Sequence, residues 1–170
     1  MLEEPIVELA RVFIALGSNI EPRLDHLRSA LDALRPLGEV VKVSSIYETA
    51  PVGGVPQPEY LNAVVELNTT RGPLDLLHAL KAIEKNLGRQ ERPRWHEREI
   101  DFDILFYEDL VLDSPELTLP HPEIQHRAFV LAPMSDLDAN FVHPVFHRTI
   151  SELLRDADTS GIYKTDLQLI

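Results

Sequence analysis

Four strand-like segments and two helix-like ones, in the order β-α-β-β-α-β, predict an α+β protein. Three observations carry that reading. Apolar residues alternate with period two in the strand segments and recur every three or four positions in the helical ones. Proline and glycine bracket both helices. Two irregular stretches, one rich in proline and glycine and the other in arginine, are too long to be simple turns.

The elements follow in order. Val7 to Ala15 is largely apolar, and Val12, Ile14 and Leu16 alternate, as a strand covered on both faces would. Gly17-Ser18-Asn19 ends it, and Pro22 stands where a first helical turn begins. Leu24, Leu27, Leu31 and Leu34 form one helix face, stopped by Pro36 and Gly38. Val41, Val43, Ile46 and Tyr47 read as a second strand, followed by a loop from Thr49 to Glu59. Leu61, Ala63, Val65 and Leu67 make a third strand. Pro73 opens a second helix with Leu76, Leu80, Ile83 and Leu87 on one face and Gly88 as its stop. Arg89 to Glu99 is irregular, and Ile100 to Tyr107 is the fourth strand. Glu108-Asp109 turns the chain into a short strand at Leu110 to Leu112. Thr149 and Glu152 form a capping box for a last helix. The plan is ferredoxin-like, with an added hairpin strand and C-terminal helices. Right-handed crossovers put both core helices on one sheet face, leaving the C-terminal additions to cover part of the other.

A chain of 170 residues that is 44% hydrophobic fits one domain, residues 1–170, with a proper core. No apolar run reaches the roughly 20 residues of a membrane span. The first ten residues carry Glu3, Glu4 and Glu8 and no apolar core, unlike a secretory signal. Cysteine is absent, which excludes disulfides, thiolate zinc and cysteine nucleophiles. A cytoplasmic monomer is the default expectation. The net charge of −12 argues against nucleic acid or an anionic membrane as partner. Phosphate chemistry would have to rest on a local basic cluster.

Such a cluster exists. Arg89, Arg92, Arg94 and Arg98 lie within ten residues. Guanidinium forks match phosphate oxygens and stay charged at any working pH. Four arginines alone are more often a solvated surface loop. The strand that follows changes the balance. In Asp101-Phe102-Asp103 the period of two puts both carboxylates on one side and Ile100, Phe102 and Ile104 on the other. Adjacent aspartates repel and suit a strand poorly, a conflict that hard divalent cations resolve.

Arg94-Trp95-His96-Glu97-Arg98-Glu99-Ile100-Asp101-Phe102-Asp103-Ile104 resembles the signature of the 6-hydroxymethyl-7,8-dihydropterin pyrophosphokinase family. Further blocks agree in order: Ala15 to Asn19, Tyr47-Glu48-Thr49, Tyr60 to Ala63, Leu119-Pro120-His121-Pro122, and Arg127 to Leu131. The resemblance implies transfer of pyrophosphate from ATP to the hydroxymethyl group of a dihydropterin, with AMP released, in folate biosynthesis. It implies two Mg²⁺ ions on Asp101 and Asp103, and Arg89 and Arg98 on the triphosphate. Trp95 would belong to a lid over ATP, and Thr118, His121, Arg127 and Ile104 would meet the nucleotide. Tyr60 and Phe129 would sandwich the pterin, Asn62 would read its edge, and Thr49 and Val52 would add backbone contacts. Glu84 would join the polar network.

From the residues alone, Phe129 and Tyr60 could equally be core, His121 between two prolines structural, and Gly17-Ser18-Asn19 a turn. Two departures from the family pattern stand out. The Arg89–Trp95 segment is one residue shorter than in some relatives, which loosens the roles of Arg92 and Arg94. Glu116 stands where some members carry a nucleotide-binding arginine. Two rival readings are a non-catalytic ferredoxin-like ligand-binding module and a zinc hydrolase using His143 and His147, although Pro144 opposes a continuous helix between them. No Walker A sequence exists in the chain.

Overall fold

The computed structural model describes residues 8–50, 58–88 and 99–170. The chain runs β1 (Ala10–Ser18), α1 (Arg23–Leu34), β2 (Glu39–Val43), β3 (Tyr47–Thr49), β4 (Tyr60–Thr69), α2 (Pro73–Asn86) and β5 (Asp101–Tyr107). It continues through β6 (Leu112–Asp113), β7 (Thr118–Leu119), α3 (Ala128–Asp138), α4 (Ile150–Asp156) and β8 (Ile162–Lys164). The main sheet has the order β5-β1-β4-β3-β8, with β2 also pairing β4, and every pairing is antiparallel.

The alternation expected on β1 decides how the sheet is covered. Val12, Ile14 and Leu16, with Val65 and Leu67 of β4 and Phe102 and Ile104 of β5, pack against Leu27, Leu31 and Leu34 of α1 and Leu76 and Leu80 of α2. The intervening residues face the other way. Phe13, Val64, Leu105 and Phe106 meet Val130, Leu131 and Met134 of α3 and Ile150 and Leu153 of α4. Each fully buried leucine or phenylalanine contributes about 1.5–3 kcal/mol of transfer free energy, so both layers matter to stability. The register of β1 on β5 slips between Phe13 and Ile14, a bulge that lets consecutive Leu105 and Phe106 share the α3 side.

Two expectations change in detail, and two segments with no expected state acquire one. The second strand is two strands, because Ser44 interrupts it: its hydroxyl, not a backbone carbonyl, accepts the Val64 N–H at 2.8 Å. The hairpin strand pairs Leu112–Asp113 with Thr118–Leu119 in a separate two-stranded sheet, not with β5. Phe129 to Leu131 belong to a helix, α3, which carries Pro133 inside it. Residues after Gly161 form β8 on the outer edge of β3. The capping box is as expected: Thr149 Oγ1 accepts the Glu152 N–H at 3.1 Å, and Glu152 accepts the Thr149 N–H at 3.1 Å. No helix among the described residues is long and apolar enough to cross a membrane.

Candidate active site

Sheet register builds the site. Gly17 on β1 pairs with Asn62 on β4 and with Asp101 on β5, while Asn62 pairs onward with Tyr47 on β3. One row therefore runs Asp101, Gly17, Asn62, Tyr47 across four strands. The next row toward the α3 layer is Asp103, Ala15 and Val64. Phe102 and Ile104 lie in the helix-side core, so the two aspartates face the opposite side, as their spacing predicts.

On the β3–β4 side, the Asn62 amide donates to Thr49 Oγ1 at 2.6 Å, and both residues are buried. That bond fixes which way the amide points and leaves its carbonyl oxygen toward Gly17: a Cβ on Gly17 would lie 3.0 Å from Asn62 Oδ1 and 3.4 Å from the Tyr60 ring. Gly17 is therefore the floor of a slot beside Tyr60 and Asn62, and any side chain there would fill it. Tyr60, two residues before Asn62 on the strand, shares its face. Asn19 reaches over to the same region, its amide donating to the Pro58 carbonyl at 3.1 Å. Tyr47 donates its hydroxyl to Asp136 of α3 at 3.0 Å, tying β3 to that helix, and burial with the carboxylate beside it pushes the phenol's pKa up.

On the β5 side, His121 Nε2 and Arg127 Nη1 each lie 3.8 Å from Asp103 carboxylate oxygens. The His121 N–H donates to the Leu105 carbonyl at 2.9 Å, so this segment runs along the edge of β5. Burial and the nearby Arg127 cation push the His121 pKa down to about 4. His121 is thus neutral at ordinary pH, and its approach to Asp103 is not an ion pair. Its Nδ1 accepts the Glu123 N–H at 3.1 Å, which assigns the ring proton to Nε2, facing Asp103. The Arg127 guanidinium also lies 5.8 Å from the Phe129 ring centre. Phe129, in the first turn of α3, is half-buried against the α3–α4 core rather than enclosed by it.

Other expected residues fall as follows. Thr118 is half-buried on β7. The Ile104 side chain is buried in the helix-side core, leaving only its backbone to meet a ligand. Glu84 lies on the helix side as well, where its carboxylate accepts the Phe102 N–H at 2.9 Å and so holds the backbone between the two aspartates. Glu116 is paired with His78 of α2 at 2.6 Å, which lowers its pKa. Val52, Arg89, Arg92, Arg94, Trp95 and Arg98 lie outside the described residues. His143 is a loop-forming residue: its Nδ1 accepts the N–H groups of Val145 and Phe146, and it stacks on Phe146 at 4.2 Å. Its backbone N–H bonds Arg148 in a tight loop, not a helix, so the helical zinc pair with His147 does not form. Gly17, expected to end the first strand and counted only in a turn and a family-like block, instead lies within β1, which runs through Ser18. Its descent from Phe13 through Ala15, one face growing emptier toward the aspartates, was the available signal.

Two carboxylates, a neutral imidazole and an arginine beside a polar slot flanked by Tyr60 suit an enzyme that handles phosphate next to a flat heterocycle. The sequence comparisons make this specific. The family model described as 7,8-dihydro-6-hydroxymethylpterin-pyrophosphokinase (HPPK) matches residues 13–139, and the chain belongs to that family. A 2-amino-4-hydroxy-6-hydroxymethyldihydropteridine pyrophosphokinase of Pseudomonas aeruginosa is 42% identical over 156 residues, covering 91% of this chain and 96% of that protein. The enzyme of that name from Aquifex aeolicus is 36% identical, over 85% of this chain and 90% of its own. Among solved structures, Plasmodium falciparum HPPK-DHPS wild type with pteroate matches with a TM-score of 0.74 at 18% identity, covering 90% of this chain. The chain spans 43% of that longer one, and the likeness shows the fold. Family membership sets aside the non-catalytic regulatory module.

Proposed function

We propose that this pyrophosphokinase, an ATP-dependent transferase of folate biosynthesis, moves the β,γ-diphosphate of ATP to the hydroxymethyl group of 6-hydroxymethyl-7,8-dihydropterin and releases AMP. The observation that carries the reading is the Asp101–Gly17–Asn62 row, which sets phosphate-handling carboxylates two strands away from a slot fit for a pterin. Residues 1–170 act as one domain on a ferredoxin-like core, consistent with the strand order, as a cytoplasmic monomer that takes two small molecules and neither nucleic acid nor membrane.

The pterin lies between Tyr60 and Phe129, with Asn62, held by Thr49, reading its hydrogen-bonding edge and Val52 beside it. Thr118, His121, Arg127 and the Ile104 backbone meet the nucleotide, with Trp95 over it, and Arg89 and Arg98 hold the triphosphate. The Asp101–Asp103 pair fits Mg²⁺: both face one side, both are partly exposed, and hard oxygen donors match that ion. Two Mg²⁺ ions held there would shield the triphosphate's negative charge.

The acceptor hydroxyl oxygen forms a bond to the β-phosphorus as the bond from that phosphorus to the α,β-bridging oxygen breaks. AMP carries away that electron pair, and the hydroxyl proton passes to water. The neutral His121 offers an Nε2–H that stays a donor across ordinary pH, and Arg127 adds a fixed cation. Positioning and charge stabilisation are what such a transfer requires of a protein. The test is product analysis: ATP should yield AMP only when the hydroxymethyldihydropterin is present. Formation of ADP, or AMP without the pterin, would refute the reading.

A further inference from the structure

The last residues of the chain touch the acceptor slot through its outermost strand. β3, only three residues long, carries Thr49, the partner of Asn62. Its outer edge is paired residue by residue with β8: Tyr47 with Lys164, Glu48 with Tyr163 and Thr49 with Ile162. Gly161, at a φ of 77°, turns the chain into β8, and its carbonyl accepts the Ala50 N–H at 3.4 Å. Beyond β8 the backbone N–H and hydroxyl of Thr165 both donate to the Ile46 carbonyl, at 2.9 and 2.8 Å. The tail then crosses to α1, where Arg28 donates to the Gln168 carbonyl at 2.8 Å and Leu169 enters the helix-side core at 3% exposure. Beneath it runs an open cavity of about 470 Å³ lined by Val43, Ser44, Ser45 and the tail itself. The hold is therefore at a few points, each removable singly.

We infer that residues 161–170 are a positioning strap for the acceptor subsite, fixing β3 so that Thr49 presents the Asn62 amide to the pterin. Arg28, Thr165 and Leu169 are its positioning residues; none lies on the face that carries Asp101 and Asp103. A three-residue strand paired on one edge only would leave Thr49 loosely placed, and short isolated pairings are marginal in water. The strap acts on the pterin and not on ATP, whose expected contacts lie across the sheet on β5 and beyond.

The inference rests on the proposed roles of Thr49 and Asn62, so the experiment tests both on the full chain. Leu169→Ala and the surface variant Arg28→Ala should each raise KM for the hydroxymethyldihydropterin roughly 3- to 10-fold, with kcat and the KM for ATP within about twofold of the parent. Thr165→Val should act in the same direction, and Thr165→Ser, which keeps the hydroxyl, should restore the parent value. Asn62→Ala serves as the reference and should raise the same KM. If Asn62→Ala does so while the three strap variants do not, the strap proposal alone falls. If Asn62→Ala leaves the pterin KM unchanged, the acceptor reading fails and takes the strap with it. A loss of active protein at constant pterin KM would make the tail a stabilising element only and overturn the proposal.

Discussion

The face of the sheet beneath α3 has two ends, made by the same strands and put to opposite uses. At one end Phe13 of β1 meets Phe106 of β5 edge-on at 6.5 Å and Phe141 at 5.2 Å, and no space is left. Two residues along β1 the side chain is Ala15, and two further it is Gly17, set between Asn62 and Asp101. At a strand rise of roughly 3.3 Å per residue, about 13 Å separates the packed end from the emptied one. Stability and chemistry are thus divided along one strand. The aromatic end can be close-packed because no ligand enters it. The glycine end can hold like charges and an open slot because the other end and the α1–α2 layer supply the cohesion.

That division can be broken at either end. The largest effect is expected from Asp101→Ala or Asp103→Ala, each lowering turnover at least about 10³-fold, on the order of 4 kcal/mol in the barrier. The melting temperature should fall far less than in a core truncation, because neither carboxylate belongs to either apolar layer. A variant of either with near-parent activity in Mg²⁺ would remove the metal assignment. Phe13→Ala is the opposite experiment. It should cost about 3–5 kcal/mol in urea unfolding while molecules that remain folded keep their turnover. A turnover defect in folded Phe13→Ala would show that the two ends are coupled.

Smaller effects sharpen the boundary. Gly17→Ala places a methyl 3.0 Å from Asn62 Oδ1, so the amide or the Tyr60 ring must shift. Pterin affinity measured by calorimetry should fall about tenfold, with ATP affinity unchanged. Equal losses for both ligands would mean that the slot is not pterin-specific. The smallest effect is acid sensitivity. In the folded protein the His121 pKa is depressed from 6.5 to about 4, so the unfolded chain binds more protons in that interval. Stability from this group is therefore present above pH about 6.5 and is lost as pH falls toward 4, by on the order of 3 kcal/mol. Buried His143 is shifted in the same direction. The slope of unfolding free energy against pH should flatten in His121→Gln; an unchanged slope would show that His121 is not held neutral by its surroundings.

Much of this was legible in the residues. Strand and helix periodicity placed β1, α1, β4, α2 and β5, because each buries a face set by local spacing. The orientation of Asp101 and Asp103 followed from period two alone. What escaped depends on distant partners. Ser44 splits a strand only because Val64 needs an acceptor there. Pro133 masks α3, whose helical state is secured by packing on the sheet rather than by propensity. Glu84 reads as one more helix residue until its carboxylate meets the Phe102 N–H. The emptiness above Gly17 is a property of three strands in register, which no single segment carries.

The two margins of the sheet remain to be considered, since a sheet that ends openly invites another chain to extend it. At one margin β5 is screened where His121 donates to the Leu105 carbonyl. At the other the sheet stops on β2, five residues that pair with β4, and on β8, three residues long with Tyr163 64% exposed and Lys164 at its end. Borders so brief give an incoming strand few groups to pair with, and Lys42 and Lys164 discourage the approach further. With a net charge of −12, copies also repel one another at a distance. Colloidal behaviour is thereby built into the segment that also borders the acceptor slot: lengthening β8 with apolar residues would extend the border and favour edge-to-edge aggregation.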